Sequence, residues 1–307
     1  MRPQKTSEYV EYKGKRFYLW KAERDGEEAF FIDLVSLGMK SIIEVSGGLE
    51  KLSVIHGINF SSNEIEKIEG LENLKHLRYL NFEGNMIKDT SGLENLRELR
   101  ELDFSWNALE ELKGLEHLTR LKRLNLEHNN LSEMKGLENL VNLIFLRLTY
   151  NKISKIKGLD GLKNLEHLEL SNNNISEIKG LSELINLKEL YLNDNLIEEI
   201  KCLENLKHLK WLYLTHNKIE KVDGINNLSS LSSIQLDGNR IKNLKNVKFP
   251  NSLKSIFLGS NQISQLDDIE ALQQIDWIYI DDNPLEKKEL DKLRRSNISS
   301  SFPQNLK

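Results

Sequence analysis

The 307-residue chain holds a single cysteine, Cys202, and only four prolines. One thiol cannot build a disulfide framework, which favours a reducing compartment. No run of 18 apolar residues occurs, so no membrane-spanning helix is expected. The N-terminal stretch MRPQKTSEYVEYKGKRF lacks the apolar centre of a secretion signal. Together these absences lead to the expectation of a cytoplasmic protein, with the nucleus as a second compartment. Basic excess is missing too: the net charge is −4. Nucleic-acid partners usually require a basic stripe, so none is expected. No glycine loop of the phosphate-cradling kind appears, and the histidines are scattered.

What the chain does have is a ruler. Eleven asparagines recur at a spacing of 22: Asn63, Asn85, Asn107, Asn129, Asn151, Asn173, Asn195, Asn217, Asn239, Asn261 and Asn283. An unbroken period of this length marks a solenoid. Five and three residues before each asparagine stands an apolar pair, such as Leu168 and Leu170 or Leu212 and Leu214. That alternation predicts a short strand with one buried face. Two residues after the asparagine comes Ile or Leu, and then the apolar spacing becomes three, as in Leu71, Leu74 and Leu77. A spacing of three predicts a 3₁₀-like return. The asparagine amide offers two donors and an acceptor to backbone groups that lose their ladder partners at the strand end. Asn151→Ala is therefore expected to destabilise. Glycines seven residues after the asparagine, such as Gly70, Gly92 and Gly224, read as punctuation tolerant of positive φ; Asn246, Asp268 and Cys202 share that slot. Cys202 itself reads as a small filler residue.

The string L-x-x-L-x-L-x-x-N-x-I-x-x-I-x-G-L, seen in LKHLRYLNFEGNMIKDTSGL, is the leucine-rich repeat pattern. The 22-residue period and the phrase GLENL, at Gly70–Leu74, Gly92–Leu96 and Gly136–Leu140, resemble the subclass typified by the nuclear regulatory subunit of protein phosphatase-1. The resemblance implies an α/β solenoid: a curved array with a parallel sheet on its concave face and 3₁₀ or extended returns on the convex one.

The ends are expected to be caps, because a solenoid exposes apolar edges. Residues 1–48 predict a β-meander followed by a degenerate repeat around Ile32, Leu34 and Met39; a separate recognition module is the other reading of this segment. Residues 49–283 form the array. Residues 284–296, opened by Pro284, predict a capping helix, and 297–307 an unstructured tail.

Used as a ruler, the ladder assigns a face to each side chain. Positions four and six before the asparagine, with those one and two before it, form the exposed strand face. All the tryptophans and tyrosines after residue 50 fall there: Tyr79, Trp106, Tyr150, Tyr191, Trp211, Tyr213, Trp277 and Tyr279, joined by Phe145 and Phe257. Large aromatics concentrate at interface hot spots. The alternative is lateral packing that stiffens the sheet. The same face is acidic, with Glu169, Glu189, Asp194 and Asp237 among its carboxylates and only Arg123 and Arg147 opposing them. Arg123 is expected near Glu101, and Arg147 near Glu169. The predicted partner-binding set is Tyr150, Tyr191, Trp211, Tyr213, Phe257, Trp277, Tyr279, Glu169, Glu189, Asp194 and Asp237, with the C-terminal part preferred.

His128 and His216 share a position four repeats apart, roughly 19 Å at strand spacing, too far to share a metal. No nucleophile–base pairing and no metal or cofactor site is expected, so the chain reads as a non-catalytic, monomeric interaction scaffold. Its predicted partner is a protein with a basic or cationic surface. The resemblance adds a sharper alternative, a regulatory subunit of a phosphatase or similar enzyme. A ribonucleoprotein component and a cell-surface adhesion domain are the remaining classes.

Overall fold

A computed structural model describes residues 3–24, 26–52, 54–266, 272 and 274–295, and the backbone of 299–301. The chain forms a leucine-rich repeat solenoid with about eleven turns and two compact halves, Met1–Asn151 and Lys152–Lys307.

The N-terminal half opens with an antiparallel meander, β1 (Gln4–Tyr12), β2 (Lys15–Arg24) and β3 (Glu27–Asp33). The third strand turns the meander into a solenoid, because β3 pairs in parallel with β4 (Gly57–Asn59), Ile32 opposite Ile58. The degenerate repeat is visible in its hydrogen bonds: Asn63 Oδ1 accepts from the N–H groups of Leu37 and Met39, and Asn63 Nδ2 donates to the carbonyl of Leu34. Its longer return carries a short helix, α1 (Ile43–Leu49), that buries Val45 and Leu49. Parallel strands β5 (Tyr79–Asn81), β6 (Glu101–Asp103), β7 (Arg123–Asn125) and β8 (Phe145–Arg147) follow in register.

The C-terminal half continues with β9 (His167–Glu169), β10 (Glu189–Tyr191), β11 (Trp211–Tyr213), β12 (Ser233–Gln235), β13 (Ser255–Phe257) and β14 (Trp277–Tyr279). These are parallel neighbours in sequence order. Helix α2 (Lys287–Arg295) buries Leu290 and Leu293; it begins three residues after Pro284, which thus lies before the helix and not at its first position. Glu289 is only 2% exposed and accepts from the N–H of Leu266 (3.0 Å) and from Lys292 Nζ (2.9 Å), which ties the helix to the last repeat. Ser299–Ser301 departs from the expected unstructured tail: it forms β15, parallel to β14. The remainder of that tail and Asp268 lie outside the described residues.

Within each turn the apolar pair points inward because successive strand residues face opposite sides. Leu168, Leu170, Leu212 and Leu214 are fully buried. At the N-terminal end larger rings fill the same column, with Phe60, Phe82 and Phe104 stacked at 5.4 and 5.3 Å. The returns close through three-residue bonds, such as Leu74 N–H to the Leu71 carbonyl (3.0 Å) and Leu77 N–H to Leu74 (3.1 Å). The spacing of three therefore has its 3₁₀-type cause.

Each ladder amide works backwards along the stack. Asn129 Nδ2 donates to the Phe104 carbonyl of the preceding turn (2.9 Å) and to its own turn's Leu126 (3.1 Å), while its Oδ1 accepts from Leu109 N–H (2.9 Å). Asn217 repeats the scheme with Leu192, Leu214 and Ile197.

One reading of the return needs correction. Cys202 is exposed, so it is no filler, and it adopts φ +59 like the glycines of its slot. The left-handed backbone there is thus general, Asn246 included at φ +61. At Gly92 a Cβ would lie 2.0 Å from the Ile68 carbonyl oxygen, so the preceding turn's backbone excludes a side chain.

Candidate strand-face binding site

Every array strand shows its middle residue buried, and from β6 to β14 the flanking residues are open to solvent in varying degree. The two halves use that face differently.

In the C-terminal half, Tyr191 and Tyr213 are opposite each other on β10 and β11, their rings stacked at 4.2 Å and 5°. Tyr191 donates its hydroxyl to Glu189 Oε2 (2.8 Å). Burial first, then the Glu189 carboxylate, pushes that phenol above its ordinary range. Trp211 lies beside them, opposite Glu189, with Lys210 Nζ 5.8 Å from its ring. A second cluster holds Phe257 and Tyr279, 6.2 Å apart, and Trp277, which is 44% exposed. The two clusters are separate on the sheet. Strand β12 presents Ser233 and Gln235 between Trp211/Tyr213 and the second cluster.

The carboxylates are held in place. Asp194 Oδ1 lies 3.1 Å from His216 Nδ1. Glu189 also approaches His167 at 3.3 Å. Asp237 Oδ1 accepts from Gly259 N–H (2.9 Å), and Tyr279 lies across Gly259, where an added Cβ would meet its ring at 2.5 Å. Burial pushes the Asp237 carboxyl up. The charge of Asp281 pushes the Tyr279 hydroxyl up, and Asp281 Oδ1 is buried without a hydrogen-bond partner. Glu169, Glu189, Asp194, Asp237, Asp281 and Asp282 occupy the strand-face positions of this half, and no lysine or arginine does.

In the N-terminal half the acid is matched by arginine. Arg123 Nε lies 3.9 Å from Glu101, as expected, and Arg147 reaches Glu127 at 3.6 Å. Arg24, from the meander, also pairs with Glu101 and lies 4.2 Å over the Tyr79 ring. Phe31 packs on Tyr79 at 5.5 Å over Gly57, leaving Tyr79 only 5% exposed. A groove of about 970 Å³ runs along this half, lined by Trp20, Phe31, Asn59, Asn81, Phe145 and Arg147 among others. Position in the repeat placed Tyr79 on an open face; the meander side chains that close over it carry no repeat signal.

Tyr150 lies elsewhere than on a strand. It sits one residue before its ladder asparagine, in a left-handed conformation (φ +55), and stacks on His128 at 4.2 Å.

The leucine-rich repeat family descriptions "Leucine Rich repeats (2 copies)" and "Leucine rich repeat" match residues 141–183, 163–207 and 185–227, and residues 229–285, respectively. The chain is a leucine-rich repeat protein. Among solved structures it is similar to an internalin, InlF, of Listeria monocytogenes: 26% identity, TM-score 0.69, covering 90% of this chain and 87% of that one. Internalin C2 from the same organism is 31% identical, with TM-score 0.58 over 64% of this chain and 87% of its own. A chain of the Drosophila Toll–Spatzle complex shares the fold at 21% identity and TM-score 0.67, covering 82% of this chain and 41% of that one. No curated protein sequence matches significantly. Among the described residues no helix is long and apolar enough to cross a membrane.

Proposed function

We propose that the protein is a non-catalytic interaction scaffold that binds a protein partner through the strand face of its C-terminal half. The observation that carries this reading is the coincidence there of half-buried aromatics and the exposed Trp277 with six carboxylates and no strand-face lysine or arginine. Aromatic rings give large, rigid contact area at small entropic cost. The carboxylates steer a partner with a basic rim and disfavour nucleic acid. A chain that shares this fold occurs in the Toll–Spatzle complex, which supports the reading in kind. Trp211, Tyr213 and Tyr191 form one anchor, with Glu189 and Asp194 beside it; Phe257, Trp277 and Tyr279 form a second, with Asp237. Affinity capture from native lysate tests the assignment: Trp211→Ala with Tyr213→Ala should abolish recovery of the partner while the thermal transition stays cooperative. A sharper reading, regulation of a phosphatase or similar enzyme, is supported by the 22-residue period and the GLENL phrases. Recovery of a phosphatase catalytic subunit as the stoichiometric captured protein tests it.

A further inference from the structure

The residue one before each described ladder asparagine is left-handed throughout the array. Ser62, Gly84, Trp106, His128, Tyr150, Asn172, Asp194, His216, Gly238, Ser260 and Asp282 all have φ between +52 and +66. Glycine, asparagine and aspartate tolerate this conformation; bulky side chains are outliers there, at about 1 kcal/mol per residue. Trp106 and Tyr150 nevertheless occupy it, with His128 between them. The three rings form a continuous stack, 3.6 Å from Trp106 to His128 and 4.2 Å from His128 to Tyr150. Trp106 is 57% exposed and Tyr150 47%. Strained conformations held at consecutive positions, with the rings left in solvent, point to use rather than to stability.

The stack has an open end. On one face Trp106 meets His128. One turn earlier the same column holds Gly84, whose N–H donates to the Ser105 carbonyl (2.9 Å) in Trp106's own turn. A Cβ built on Gly84 would meet Ser62 first, at 3.6 Å, so the indole does not cover this glycine as His216 covers Gly238. The column position beside Trp106 thus carries no side chain at Gly84, with Ser62 one turn further on, and the recorded ring stack ends at Trp106. Next to Gly84 in the chain is Glu83, exposed and in no ion pair among the described residues.

We propose that this position receives an arginine guanidinium from a partner protein, stacked on Trp106 above Gly84 and balanced by Glu83. A planar cation continues the ring stack, gains from the indole face, and offers paired N–H donors to a carboxylate. The assignment is independent of the C-terminal strand face. It accounts for why the stack stops at a glycine: any side chain at position 84 would fill the seat.

The test uses the full chain labelled with ¹⁵N and follows the indole N–H resonance of Trp106, identified with Trp106→Phe. Nα-acetyl-arginine amide should shift it saturably, whereas Nα-acetyl-citrulline amide, alike in shape but uncharged, should not. Gly84→Asn fills the position with a residue that the same column tolerates at Asn172, and should weaken the response about tenfold. Glu83→Gln should weaken it about threefold. Unchanged indole resonances of Trp20, Trp211 and Trp277 verify the fold of each variant. A citrulline response equal to that of arginine, an equal response to Nα-acetyl-lysine amide, or a Gly84→Asn variant that binds as wild type would each overturn the proposal.

Discussion

The two halves of this chain share one repeat and treat its exposed face in opposite ways. In the N-terminal half, arginines at Arg24, Arg123 and Arg147 sit among Glu101 and Glu127, and the meander covers Tyr79. In the C-terminal half the strand face has carboxylates without arginine, and its aromatics stack on one another or face solvent. The contrast teaches that a leucine-rich repeat fixes where a side chain points but not whether the neighbours consume it. A charge or ring is available to a partner only where the adjoining turns leave it unspent.

The largest expected effect is the one on which the halves agree. Asn129→Ala and Asn217→Ala each strip two buried carbonyls of a donor and one N–H of an acceptor. Each should cost about 3 kcal/mol, read by chemical denaturation. A cost confined to one half would show that the ladder is not uniform.

Tyrosine truncation should separate the halves. Tyr79→Ala, under Phe31 and Arg24, is expected to destabilise by about 3 kcal/mol. Tyr213→Ala, half-exposed, should cost about 1 kcal/mol and act mainly on binding. Equal losses in stability would erase the distinction between a covered and an available ring.

Two carboxyls of the C-terminal half, the buried Glu289 and the half-buried Asp237, should respond to pH with opposite signs. Burial outweighs other influences on Glu289 only until Lys292 and the Leu266 N–H are counted, and these hold its carboxyl below the ordinary range. A lowered folded pKa contributes stability that is present above the unfolded value of about 4.3 and is lost as pH falls through the folded one. Glu289→Gln should remove that acid-side loss, at most about 2 kcal/mol, in melts followed from pH 7 downward. Asp237 is the reverse case. Burial raises its carboxyl, so ionisation near neutral pH works against the fold, and stability falls as pH rises between its unfolded and folded pKa values. Asp237→Asn, whose amide oxygen can still accept from Gly259, should raise the melting temperature slightly at pH 7 and weaken partner capture. Stabilisation without loss of capture would separate Asp237 from the binding face.

The fold was legible because the period of 22 survives every turn, so each asparagine calibrates its neighbours. The 3₁₀-type returns followed from a spacing of three, and the meander from its turn residues. The site was legible only in part. The stacked pair Tyr191 and Tyr213 follows directly from position, since equivalent residues on adjacent parallel strands must meet. Tyr79 did not, because Arg24 and Phe31 reach it from a segment outside the repeat. Trp106 and Tyr150 are exposed, but their left-handed backbone, and the stack it permits, depends on a turn geometry that hydrophobic spacing does not encode. Gln235, which separates the two C-terminal clusters, was readable from its column.

The most direct measurement compares the two strand faces against one captured partner. With that partner purified, affinity is measured for wild type, for Trp211→Ala with Tyr213→Ala, and for Arg123→Ala with Arg147→Ala. The account predicts a loss of about a hundredfold for the C-terminal pair, little change for the N-terminal pair, and binding that weakens as salt screens the carboxylates. A C-terminal double variant that is folded and binds as wild type, or a loss confined to the arginine pair, would contradict it.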